Sequence, residues 1–159
     1  MSNIDLDICY LSASDALEKF KNKSLSPVEL LTETIKRIED VNPKINAFNF
    51  FRFEEALKEA KHSELKYTED KSTLPLEGLP LAIKDEVNVK GHPNKNGSLI
   101  YKDVIAEKTD IEVESLINSG AIIHARTTNP EFSLTSFCHS KVNGVTRNPW
   151  NLDLSLIHI

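Results

Sequence analysis

The chain has 159 residues, 40% of them apolar and 27% charged, a balance near the soluble globular average that excludes collagen-like and fully disordered classes. At 17.9 kDa it is one domain's worth of polypeptide or part of a larger one, long enough to bury a core without staples. Nineteen basic against 24 acidic residues leave a net charge of −5, which argues against a general nucleic-acid binder. In chain order, Ser12 or Ser14 can cap a first helix through Ala16, Leu17 and Phe20 to about Lys23. Ser26-Pro27-Val28-Glu29 is a stronger start. Ser26 suits the N-cap, Pro27 the first helical position and Glu29 the capping-box partner. Leu30, Leu31, Ile35 and Ile38 follow at helical spacing, and Asn42-Pro43 is expected to end the helix. Residues 45–51 read as a strand and 52–65 as a helix.

Residues 66–73 are polar and read as a linker. Residues 80–89, PLAIKDEVNV, form a buried-strand candidate, followed by the turn-rich GHPNKNGS. Residues 110–118 read as a helix with Ile111, Val113, Leu116 and Ile117 on its apolar side, stopped by Ser119-Gly120. Residues 121–125 are a short strand, and the helix–turn–strand order suggests an α/β layer. No internal repeat is present.

No apolar stretch approaches the roughly 18 residues of a membrane span. The acidic N-terminal segment lacks the basic and apolar regions of a signal peptide. Cys9 and Cys138 lie far apart in the chain, and reduced thiols in a cytoplasmic protein are expected. His62, His92, His124, His139 and His158 show no metal-site spacing. His124 is expected to be a satisfied strand residue and His62 a solvated one. Cys138 and His139, as neighbours on extended backbone, should face opposite ways and form no dyad.

Lys84 is the most informative residue. It follows Leu81-Ala82-Ile83 and precedes Asp85. A lysine entering a core must be neutral, paired or functional. One reading is a strand-end lysine that snorkels to solvent and pairs with Asp85 or Glu86. The other is catalytic.

The combination of segments resembles the amidase signature family. Pro75-Leu76-Glu77-Gly78-Leu79-Pro80 leading to Lys84-Asp85 is similar to the family's opening stretch. Gly97-Ser98, then Asp110 and Leu116–Ile123, follow in the family's order. Arg126-Thr127-Thr128-Asn129-Pro130-Glu131-Phe132 is similar to the family's Lys-Thr-Asn-x-x-Glu-Phe, with Arg126 in place of lysine. Gly144-Val145-Thr146-Arg147-Asn148-Pro149-Trp150-Asn151 looks like the segment before the signature loop. The resemblance covers residues 10 to 151.

It implies an α/β fold in which N-terminal helices (residues 1–70) precede the first part of a mixed-sheet α/β/α core (71–151), left incomplete, with an atypical tail at 152–159. It implies a Ser–cis-Ser–Lys triad that hydrolyses amides. Lys84 would be the base acting through a bridging serine, and a second serine the nucleophile. Asp85, Gly97, Ser98 and Asn129 would support the site, without metal or cofactor. The partner expected for the parent is a small-molecule amide, with neither nucleic acid nor membrane; a homodimer of the parent is compatible. A serine needs an adjacent base, and a lysine serves only when neutral, a state burial can favour.

Past Asn151 the sequence departs from the family. It reads Leu152-Asp153-Leu154-Ser155-Leu156-Ile157-His158-Ile159, and no glycine follows Gly144. Neither Ser155 nor Ser133, Ser136 or Ser140 matches a family serine. The expectation is an N-terminal fragment of an amidase-type hydrolase, itself inactive, with a non-native tail. The alternatives are a non-catalytic binding or assembly module on the same scaffold, and the amidase component of an aminoacyl-tRNA amidotransferase.

Overall fold

The computed structural model describes residues 4–155. Residues 156–159, half of the tail singled out above, lie outside it. The described chain forms two compact units. One comprises residues up to Asp40 with Arg52–Leu81 and Ser115–His124; the other comprises Val41–Phe51, Ala82–Glu114 and Ala125 onward.

The first unit is built on helices α1 (Leu6–Cys9), α2 (Ala13–Lys21), most of α3 (Pro27–Ile45) and α4 (Phe53–Thr68). Ser12, not Ser14, caps α2, accepting from the Asp15 N–H at 3.1 Å. The expected capping box at α3 is present in both directions. The Glu29 N–H donates to Ser26 Oγ at 3.1 Å, and the Ser26 N–H donates to Glu29 Oε2 at 2.8 Å.

Helix α3 does not stop at Asn42-Pro43 but runs on to Ile45. A proline so near the end removes one N–H and disturbs a single turn. The stop is made instead by Asn42, whose Oδ1 accepts from the Ala47 and Phe48 N–H groups at 2.8 and 2.9 Å. Asn46 then turns left-handed, with φ 52°. Helix α4 also outlasts its expected end and reaches Thr68.

Two apolar clusters hold the first unit. Ala16, Phe20, Leu25, Leu30 and Tyr67 form one; Leu31, Ile35, Ala56, Ala60 and Ile122 form the other. The same unit holds a buried carboxylate, Glu77. Glu77 accepts from Ser63 Oγ at 2.6 Å and from Lys66 Nζ at 3.0 Å. Its backbone carbonyl accepts from the Tyr67 hydroxyl at 3.0 Å. Burial raises the Glu77 pKa, but the hydrogen bonds from Ser63, Lys66 and Leu74 outweigh it and the net shift is downward. Gly120 makes room for this segment. Its φ is +98°, and a Cβ there would lie 2.8 Å from the Glu77 Cα.

A three-stranded sheet has the order β1–β3–β2, with β1 Phe48–Phe51, β2 Pro80–Lys84 and β3 Ile122–Thr127. β1 is antiparallel to β3. The Ile122 N–H donates to the Leu79 carbonyl and the Asp85 N–H to the Thr127 carbonyl. Both numbers rise together, so β2 and β3 run parallel and the sheet is mixed. A parallel pair needs a long crossover, here residues 85–121, which include α5 (Ile111–Asn118). Ile122 through Arg126 are all buried, as a central strand requires.

β2 ends at Lys84 rather than at Val89. On α5 only Val113 is fully buried; Ile111, expected on the apolar side, is 82% exposed. The second unit also carries short hairpins. β4 (His139–Ser140) pairs with β5 (Gly144–Val145), and β6 (Arg147–Asn148) pairs with β7 (Asn151–Ser155). Cys9 and Cys138 are both free thiols. Cys138 is buried and His139 exposed, on opposite faces as expected.

His124 departs from its expectation. It bonds the Leu81 backbone, but its Nδ1 is buried without a partner. Desolvation pushes its pKa down to about 4 from 6.5. A histidine held neutral in the fold leaves the unfolded chain to take up the proton first. Stability is therefore full above pH 6.5 and is lost as the pH falls towards 4, by about 3 kcal/mol in all. Urea denaturation should show about 2 kcal/mol of this loss between pH 7 and pH 5, and His124→Gln should remove that share. At pH 7, Glu77→Gln should destabilise the chain by about 2 kcal/mol in the same assay, because it breaks the Lys66 pair and leaves buried donors short of acceptors.

Candidate active site

The polar groups singled out from the sequence gather in the second unit, where β2 and β3 end. Lys84 is the last residue of β2. Its side chain is 44% exposed, and Nζ lies 2.8 Å from Glu86 Oε1. The core does not close over the ammonium group. Glu86 also bonds the Ser133 hydroxyl. The Lys84 contact first, then the Ser133 bond, hold its carboxyl below the usual carboxylate range.

Asp85, next to this exposed lysine, is 1% exposed. Its N–H completes the ladder to Thr127, and Oδ1 accepts from the Lys95 N–H at 3.2 Å. Oδ2 is buried without a partner. The strand ends between the two, and Asp85 turns inward as the first residue beyond β2.

Residues 96–98 are stitched to the segment after β3. Asn129, with no exposed surface, donates from Nδ2 to Asn96 Oδ1 at 3.4 Å and to Ser133 Oγ at 3.3 Å. Its Oδ1 has no partner. Ser98, 1% exposed, donates to Glu131 Oε1 at 2.7 Å. The Phe132 N–H donates to the Asn96 carbonyl at 2.9 Å. Gly97 sits between, with φ +65°; a Cβ there would lie 2.6 Å from the Pro130 carbonyl oxygen. Phe132 and Ser133 are consecutive non-glycine residues with φ 52° and 54°, a strained pair.

Arg126, which in the sequence stands in the place of the family's lysine, organises the neighbourhood. It has no exposed surface. Nε donates to the Ile83 carbonyl at 3.2 Å, Nη1 to Pro93 at 3.1 Å, and Nη2 to Lys84 at 2.9 Å and Val87 at 2.5 Å. Burial lowers its pKa, and the Asp85 carboxylate opposes that shift. A charged residue inside the apolar run AIIHAR was the signal available beforehand.

Lys84, Asp85, Gly97, Ser98 and Asn129 thus share one neighbourhood, joined by Glu86, Asn96, Arg126, Glu131 and Ser133. Among the described residues no three His, Cys, Asp or Glu side chains group to hold a metal.

The sequence matches the family described as Amidase over residues 29–156. The chain belongs to the amidase family. It is 35% identical over 143 residues to one subunit of the glutamyl-tRNA(Gln) amidotransferase from Methylacidiphilum infernorum, covering 90% of this chain and 28% of that protein. It is 34% identical over 144 residues to an indoleacetamide hydrolase from Bradyrhizobium diazoefficiens, covering 91% and 28%. In structure it is similar to a bacterial aryl acylamidase of the amidase signature family, at TM-score 0.87 and 25% identity over 94% of this chain and 31% of that one. A 6-aminohexanoate cyclic dimer hydrolase gives TM-score 0.79 at 30% identity, over 94% and 30%. The chain therefore spans about three-tenths of the length of these amidase relatives.

Gly97→Ala should lower stability by about 2 kcal/mol, through a left-handed φ imposed on a side chain and a clash with backbone. Thermal or urea unfolding measures it, and an unchanged midpoint would contradict the close approach to Pro130.

Proposed function

We propose that this chain supplies the lysine side of an amide-hydrolysing active site, with Lys84 as the general base. The observation that carries the reading is the position of Lys84 in an amidase-family chain. It stands at the end of a core strand whose backbone is pinned by β3, while its head group reaches outward from that rigid base. Asp85, Gly97, Ser98 and Asn129 hold the surrounding loops and take no part in bond making.

In a protein of its relatives' length, the neutral Lys84 amine would take a proton from a bridging serine. That serine would take one from a nucleophilic serine attacking the amide carbonyl. The carbon–nitrogen bond breaks, ammonia or an amine leaves with a proton, and water hydrolyses the ester to a carboxylate. The contact with Glu86 bears directly on this step. An ammonium ion bonded to a carboxylate has no lone pair to offer, so the base must leave Glu86 to act.

Substrate class is a small carboxamide, a reading favoured by the indoleacetamide hydrolase among the relatives. The amidotransferase relatives support a second reading, a role as one component of a larger assembly. We place the protein in the cytoplasm, which the two free thiols support. No helix among the described residues is long and apolar enough to cross a membrane.

The test is a chimaera in which residues 4–151 replace the matching segment of the indoleacetamide hydrolase. It should hydrolyse indoleacetamide, and Lys84→Met should lower kcat by about 10²–10⁴-fold with KM little changed. Retained turnover in Lys84→Met would overturn the assignment.

A further inference from the structure

We propose that Arg126 is the positioning residue for Lys84, fixing the place where β2 breaks and hence the direction in which the lysine leaves the strand. The inference deepens the role given to Lys84 above and rests on it.

The geometry of a strand carries the case. Successive carbonyls along a regular strand point to opposite sides, as do successive side chains. Yet the carbonyls of Ile83 and Lys84, neighbours in sequence, both accept from the one guanidinium of Arg126. They can converge only if the backbone turns out of the extended form at Lys84. The same guanidinium takes the Val87 carbonyl, while the Val87 N–H donates back to the Lys84 carbonyl at 3.1 Å. The turn of residues 84–87 is thus closed from within and clamped from β3. The fourth contact of Arg126, to the Pro93 carbonyl, ties in the loop that follows. Arg126 is wholly buried on the central strand, so its own position is fixed by packing rather than by the loop it holds.

The chemistry suits arginine. Its planar fork offers five donors in a rigid array. A lysine, which the family resemblance puts here, offers three donors from one atom. It can keep the charge and part of the convergence, but it cannot span four acceptors.

The experiment uses the full 159-residue chain and needs no turnover, so its outcome is separate from that of Lys84→Met in the chimaera. Amide hydrogen exchange and side-chain nuclear Overhauser effects are measured by NMR in the parent, Arg126→Met and Arg126→Lys. In Arg126→Met the Val87 amide should exchange at least tenfold faster, while amides of α3 and α4 change less than threefold. The Lys84–Glu86 side-chain effect should vanish. Arg126→Lys should restore that effect and show a smaller acceleration at Val87. If Arg126→Met does not fold, Arg126→Lys decides, and acceleration confined to Val87 supports the proposal. Equal acceleration of all protected amides would show a merely structural role and overturn it. So would unchanged Val87 protection in every folded variant, or a Lys84–Glu86 effect that persists in Arg126→Met.

Discussion

A guanidinium with no exposed surface has to be satisfied entirely inside the protein. An unpaired charge there would cost several kcal/mol. Arg126 meets the demand with four backbone carbonyls and the nearby Asp85 carboxylate. Charge-assisted bonds of this kind are worth roughly 1.5–3 kcal/mol each against leaving them unmade. The consequence reaches past stability. Those four carbonyls belong to one strand end and one loop, so a single buried charge dictates where β2 stops, how the next turn closes and where residues 93–98 begin.

Polar bonds also join loops elsewhere in the second unit. Ser98 to Glu131, Asn129 to Asn96 and Ser133, and the Phe132 N–H to the Asn96 carbonyl join two loops. Glu77 does the same in the first unit, where Ser63, Lys66, Leu74 and Tyr67 converge on one residue. Buried polar networks specify one geometry because a half-made network is worse than none.

Much of the fold was legible where local chemistry decides it. The capping box at Ser26 and Glu29 was readable as four letters and exists in both directions. The motif residues Lys84, Asp85, Gly97, Ser98 and Asn129 could be placed together only through the family resemblance. Element ends fared worse, for a physical reason. Pro43 reads as a stop, but the termination is made by the Asn42 side chain reaching forward. The apolar letters of Val87 and Val89 suggest that β2 continues, but a residue some forty positions away captures its carbonyls. Long-range bonds leave no trace in local periodicity. The role of Arg126 was hidden for the same reason, although a charge within an apolar run marked it as a residue needing partners. Ile111 misled because a helix end can be solvated even when its residue is apolar.

What remains is the contrast between the rigid and strained parts of the site. Lys84 stands on a strand end fixed by the ladder and by Arg126. Facing it, Ser133 holds Glu86 from backbone where two successive residues adopt left-handed angles. Such conformations cost of order 1–3 kcal/mol each and persist only when the surroundings impose them. Here the imposing contacts are the Asn129 bond to Ser133 Oγ and the Phe132 N–H bond to Asn96. The strain lies on the carboxylate side of the Lys84–Glu86 pair and not on the lysine side. If the pair must open for the amine to act, the segment with energy stored against its present shape is the one holding Glu86.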